Sequence, residues 1–389
     1  MAEKGANAPF PKERRMAKTV GFSVKDGSVT GALRQLLKQL LERKLVDAVL
    51  VPVQLPSGDN VVQSLVARSE VLDAANPLAP VLPVSTANII SKMTRLAASE
   101  KKVAVVMRSC ELRALTELVK LKQASLDNIV LVGVDCYGTF SVPDYKRFAK
   151  ETPATGDELL KGVKTGKVDS RLREACQACE YPYPLNADVT IGLIGVDFDK
   201  GLLLLASTAK GQQIVDGLGL AEAKDDSRQA AVNTLVSVRQ KRRDQLFEQT
   251  IMESKGLEKL NSIFAPCIGC HNCRDVCPVC YCRECVFDSQ TFAFEADKYL
   301  GWASKKGALR VPTDTLLFHL TRLNHMGTSC VGCGLCQEAC PNDVPVFRIF
   351  RLVGSKVQPL FSYVPGRSVD EQLPLTTFKE AEFEKVGFE

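Results

Sequence analysis

Two cysteine runs set the terms on which this chain folds. Cys267 to Pro278 reads CIGCHNCRDVCP, and Cys330 to Pro341 reads CVGCGLCQEACP. Each is a complete C-x2-C-x2-C-x3-C-P run, the spacing with which thiolates hold paired [4Fe–4S] clusters. Three closely spaced cysteines cap three irons of one cubane, and the fourth is directed to the other cluster. That exchange assigns Cys267, Cys270, Cys273 and Cys340 to one cluster, and Cys330, Cys333, Cys336 and Cys277 to its neighbour. The proline turns the chain away just after the donated ligand. A zinc ribbon would instead use pairs of C-x2-C without a proline-ended fourth cysteine. The runs predict a small α-rich dicluster module over residues 259–350 whose task is moving electrons.

The remainder is long enough for further domains: of 389 residues, 45% are hydrophobic and 24% charged, as in ordinary globular chains. A net charge of +5 is too small to argue for nucleic acid. The basic stretches KERR near Lys12 and RQKRR from Arg239 also lack the interleaved aromatics of single-strand binders. No apolar run has membrane-spanning length, and MAEKGANAPFPKERR lacks a signal-peptide core, so a cytoplasmic location is expected. Fifteen cysteines in such a chain point to metal or redox work rather than disulfides.

Residues 1–18, rich in Lys, Pro and Ala, read as a disordered leader. From Gly27 the text gives a turn and an amphipathic helix with Leu33, Leu36, Leu37, Leu40 and Leu41 on one face, then a buried strand at 48–53. A strand at 60–67 follows the polar turn Ser57-Gly58-Asp59. Further strands are expected at 102–107, 129–134, 187–196 and 201–207, with helices at 87–99 and 111–122. This alternation predicts an α/β domain over 19–220 with a largely parallel sheet. Residues 221–258 read as a helical connector, 314–326 as a helix inserted between the cysteine runs, and 351–389 as a tail laid over a partner or another domain.

Four more cysteines lie in the α/β half. Cys110 and Cys136 each follow a strand, at the sheet edge where open α/β folds place ligands. Cys176 and Cys179 form a C-x2-C in a loop before EYPYP. These thiols are able to close on one further cluster, but their spacing fits zinc, or no metal, equally well. Cys280, Cys282 and Cys285 read as packing beside the nearby cluster or as part of an additional metal site. His271, His319 and His325 have no metal-ligand spacing and read as structural or surface groups.

The segments VVMRSCELRALTELVK, IVLVGVDCYGTFS and EACQACEYPYPLNADVTIGLIGVD resemble the β-subunit family of coenzyme F420-reducing hydrogenases and formate dehydrogenases. Cys110, Cys136, Cys176 and Cys179 match that family's cysteines, and Asp188, Gly192 and Gly195 match its Ala-Asp-h-x-h-Gly-x-x-Gly segment. The resemblance implies FAD in the α/β domain beside a proximal [4Fe–4S] cluster on those four cysteines, hence three clusters in all. It also implies a catalytic or electron-transfer partner, from a formate dehydrogenase, a hydrogenase or a heterodisulfide-reductase-like complex, and a deazaflavin or nicotinamide as hydride carrier. The chain departs from the family at Ser28-Val29-Thr30-Gly31, where Ser-Gly-Gly is usual, at Met107-Arg108-Ser109 in place of Gly-x-Pro, and at Ser207 in place of Arg. Ser28, Thr30 and Gly31, with Ser85, Thr86 and Asn88 ahead of a helix, are candidates for the flavin phosphates; an ordinary helix cap accounts for the latter three equally well. Two functions are therefore open: an iron–sulfur flavoprotein subunit, or a flavin-free electron-transfer adaptor.

Overall fold

A computed structural model describes residues 18–164, 169–292, 296–307 and 314–376. All but the last residue of the expected leader, and the tail beyond 376, lie outside the described residues. Seven strands form one sheet in the order β1-β7-β6-β5-β4-β2-β3: Lys18–Ser23, Ala48–Gln54, Val61–Val66, Val103–Arg108, Ile129–Val134, Val189–Gly192 and Gly201–Ala206 for β1 to β7. In the α/β half the helices are α1 Val29–Glu42, α2 Thr86–Thr94, α3 Ser109–Lys120, α4 Val142–Glu151, α5 Thr155–Lys164, α6 Glu174–Gln177 and α7 Ala209–Leu218. Then come α8 Arg228–Ser254, α9 Leu257–Phe264, α10 Asn272–Asp275, α11 Ala296–Lys306, α12 Asp314–Met326, α13 Leu335–Glu338 and α14 Val346–Leu360.

The expected largely parallel sheet is parallel only at its centre, where β2, β4, β5 and β6 run together. The pairs β2/β3, β6/β7 and β1/β7 are antiparallel. Connection length decides the first two: the short turn through Ser57-Gly58-Asp59 and the short link from β6 to β7 permit hairpins, whereas a parallel return needs a crossover of a dozen or more residues. The central strands β4 (VAVVMR) and β5 (IVLVGV) are buried along their whole length, as strands covered on both faces must be.

Each face has its own core. On one, Leu33, Leu36, Leu37 and Leu40 of α1 and Ile214, Val215 and Leu218 of α7 pack against Ala104, Val106, Val130 and Val132. On the other, Leu112, Leu115 and Leu118 of α3 meet Val105, Met107 and Leu131. That second core continues into the cysteine-rich half through Phe264, Met326, Val346, Ile349 and Phe350. The dicluster module is thus seated on the sheet's α3 face, and both halves share apolar packing.

Candidate metal centres

The first thiol set surrounds an open hollow lined by Cys267, Cys270 and Cys273 together with Cys340 from the second run. Backbone N–H groups of Gly269 and Val344 point at the Cys267 and Cys340 sulfurs, each at 3.4 Å. Two side chains of the inserted helix α12 complete the wall. Arg322 donates to Cys273 Sγ at 3.1 Å, and His319 Nε2 lies 3.4 Å from Cys267 Sγ. Both are buried. Burial pushes the Cys273 thiol up to about 11, against the pull of Arg322, and burial with the neighbouring Arg322 holds His319 neutral, down to about 3.

The second set has no exposed member. Burial, then the adjacent Cys277, pushes Cys333 up to about 12, and Cys336 is raised by burial and by Cys333, Cys277 and Cys330. Cys277, from the first run, therefore sits among the three thiols of the second. N–H groups of Val279 and Cys280 oppose the burial of Cys277, and that of Leu335 opposes the burial of Cys333.

The third set forms where β4 and β5 end. Cys110 lies in the first turn of α3, Cys136 follows β5, and α6 with its exit supplies Cys176 and Cys179. The strand ends are held apart and roofed by the EYPYP loop: Cys136 N donates to Pro182 O at 2.8 Å, and a Cβ on Gly133 would meet Pro184 at 2.5 Å. Burial raises Cys110, and charges on Cys333, Cys136 and Cys179 reach it. Cys176 and Cys179 are likewise neighbours of Cys136. Burial also works against the Cys176 thiolate, but Arg173 and two donors of Thr139 outweigh it, so this thiol lies below its ordinary value. Thr139 N is 3.3 Å from its sulfur, and Arg173, itself bonded to Thr139 Oγ1 at 2.8 Å, approaches to 3.6 Å. Arg239 of α8 closes the far side on the Cys136 and Tyr137 carbonyls, at 3.3 and 2.8 Å.

Each set thus gathers four thiols, with N–H or guanidinium donors at its sulfurs, which is the donor chemistry of a [4Fe–4S] cluster. Cys280 packs beside the second set, and Cys285 joins Phe287 and Phe318, while Cys282 is exposed. Of the residues that matter here, His319, Arg322, Arg173, Thr139 and Arg239 carry no ligand spacing. The i, i+3 placement of His319 and Arg322 on one helix face was the signal available for two of them.

The residues nominated for flavin separate into two groups. Asp188 accepts from Leu131 N at 2.8 Å and from Thr208 Oγ1. Gly192 packs on Leu205 and Arg228, and Gly195, at φ +78°, packs on the first turn of α8. Ser28 caps α1 through Gly31 N at 2.9 Å and donates to Asp157, and Thr86 is bound by Glu111 at 2.8 and 2.6 Å. These atoms have partners within the chain. By contrast Thr30 Oγ1 and Ser85 Oγ are buried without any, as are Ser109 Oγ and Asn76 Oδ1. Asn88 is half-buried in the first turn of α2. Asn76 and Ser85 stand at the two ends of the 75–85 loop, with Thr30 Oγ1 beside Asn76 at Gly156, so Thr30, Asn76, Ser85 and Ser109 are the nearby oxygens left free for a ligand's polar groups.

Comparison with known proteins accounts for both halves. Residues 100–229 match the family model for the C-terminal part of the coenzyme F420 hydrogenase/dehydrogenase beta subunit, and residues 263–344 match the 4Fe-4S dicluster domain. The F420-dependent formate dehydrogenase subunit beta of Methanocaldococcus jannaschii is 30% identical over 381 residues, covering 88% of this chain and 93% of that one. The F420-dependent formate dehydrogenase 1 subunit beta of Methanococcus maripaludis is 30% identical over 380 residues, covering 90% and 93%. A chain of the F420-reducing [NiFe] hydrogenase complex from Methanosarcina barkeri aligns with a TM-score of 0.45 at 14% identity, over 62% of this chain and 94% of that one. No described helix is long and apolar enough to cross a membrane. With its cysteines gathered as described and most of its length matched by such relatives, the chain belongs to the coenzyme F420 hydrogenase/dehydrogenase β-subunit family, in a form carrying a [4Fe–4S] dicluster domain.

Proposed function

We propose that this chain is the electron-carrying β subunit of an F420-dependent formate dehydrogenase or hydrogenase complex. Its α/β crevice would hold FAD, Cys110, Cys136, Cys176 and Cys179 a proximal cluster, and the two ferredoxin-type runs a further pair. Flavin accepts two electrons together and releases them singly, which iron–sulfur clusters do not do alone. The observation that carries the reading is the adjacency of the three thiol sets: Cys336 of the second set packs against Ala175 and Ala178, the residues just before Cys176 and Cys179 of the third. Gly334 of the same run packs so tightly on Ala175 of α6 that an added Cβ would stand 2.3 Å from the alanine's own. Cys277 and Cys340, exchanged between the runs, tie the second set to the first. The first set ends at the surface, where Cys270 and Ile268 are exposed, and this face is suited to a partner subunit. The chain's own residues position the thiolates, supply donors to their sulfurs and keep water from the inner sets.

A flavin-free adaptor is the second reading, favoured by the internal engagement of Asp188, Gly192, Gly195 and Thr86. The two are separated by loading the anaerobic full-length protein with FAD and adding reduced F420 or NADH. The flavoprotein reading expects retained flavin and bleaching of the iron–sulfur absorbance by reduced F420. Protein that is fully loaded with iron yet retains no FAD, and that neither carrier bleaches, is an adaptor.

A further inference from the structure

The helix between the two cysteine runs has no ligand of its own, yet it places one buried cation between both thiol sets. Arg322 of α12 is 3% exposed. Its guanidinium donates to Cys273 Sγ at 3.1 Å and to the Cys273 carbonyl at 2.9 Å. Phe318 and Phe350 flank it, with ring centroids 5.4 and 5.1 Å from its central carbon. Among the described residues no carboxylate is within ion-pair reach of it, and its Nε has no partner. Phe318, which flanks the guanidinium, packs in one cluster with Cys273 of the first set and Cys336 of the second, and the charges that reach Arg322 are those of the thiols Cys273, Cys277, Cys336 and Cys280. A buried guanidinium without an anionic partner is costly, so its place is accounted for if the two clusters are its counter-ions.

We propose that Arg322 is a shared redox-tuning residue, one fixed cation that raises the reduction potentials of both dicluster centres. The inference rests on both sets holding clusters, as read above. Reduction adds one electron to a cluster that is anionic together with its four thiolates, and no proton need follow. A nearby positive charge favours the more negative, reduced form, and in a low-dielectric interior it does so strongly. Because the same side chain faces both sets, it shifts both potentials in the same direction. His319 differs: the sulfur it reaches is that of Cys267, at 3.4 Å, so its influence stays with the first set. Arg322 touches no reacting substrate and acts on potentials alone.

The test is an EPR-monitored redox titration of the anaerobic, iron-loaded full chain as wild type, R322Q, R322K and H319F. The Phe variant keeps the ring that stacks on Phe264 at 4.2 Å. R322Q is expected to move both dicluster potentials to more negative values while the proximal centre stays put. R322K is expected to move them less, chiefly at the cluster on Cys273, and H319F only at that same cluster. Unchanged potentials in R322Q, a shift at one centre alone, or an equal shift at all three would overturn the proposal. Should R322Q fail to take up iron, R322K decides: a negative shift at both dicluster centres, larger at the Cys273 cluster, supports it, and a shift at that cluster alone or at neither overturns it. Failure of the wild type to show two dicluster signals would instead sink the cluster reading itself.

Discussion

Cys340 shows most plainly how spacing becomes chemistry. It closes its own run in sequence, yet it lines the hollow of Cys267, Cys270 and Cys273. Cys340→Ala is therefore expected to abolish or convert the cluster on the earlier run and leave the one on Cys330, Cys333 and Cys336, as read by EPR and Mössbauer spectra of the variant. Loss of the later cluster alone would mean that each run closes on itself. The thiols were legible because their spacing along the chain is itself the signal. His319, Arg322 and Arg173 were not, because each reaches a sulfur from an element with its own helical logic. Thr30 and Ser85 were candidates for the flavin phosphates alongside residues that turn out to be engaged within the chain; their own lack of partners is a property of the folded interior.

At the level of elements, the strands were visible as apolar runs between polar turns, and α12 follows from its periodicity. The edge strand β1 was not, since KTVGFS follows directly on a charged leader and gains its place only by pairing with β7. The contact between Gly334 and α6 was equally hidden, because it joins segments far apart in sequence. Gly334 has φ +74°, and a Cβ there would stand 2.3 Å from that of Ala175. Gly334→Ala should then cost about 1–3 kcal/mol from overpacking, added to left-handed strain of about 1–2 kcal/mol. Denaturant titration of the iron-loaded protein measures this. Adding Ala175→Gly should recover the packing part and leave the strain; no recovery would mean the two segments do not meet in solution.

Across the whole molecule, the residues after α14 return to the α/β half. Tyr363 Oη donates to Glu117 at 2.6 and 2.7 Å, Gly366 N donates to the same carboxylate at 2.7 Å, and Arg113 donates to Pro365 O at 2.9 Å. Burial, and then Glu117, raises the Tyr363 phenol well above its ordinary value of 10.0. A raised folded-state value stabilises the fold below the unfolded value and loses that contribution as pH rises above it. Stability should accordingly fall above about pH 10, more steeply in wild type than in Tyr363→Phe, measured by denaturation at graded alkaline pH. Equal slopes would detach this tail from α3. The account as a whole rests on three thiol sets in sequence, from the sheet edge to the exposed Cys270. The most direct measurement is iron and acid-labile sulfide per chain in anaerobically reconstituted full-length protein, compared with a Cys176→Ser/Cys179→Ser variant. Three clusters predict about twelve irons, falling by about four in the variant with both dicluster signals intact. About eight irons in wild type, unchanged in the variant, would contradict the third site and the continuous path built on it.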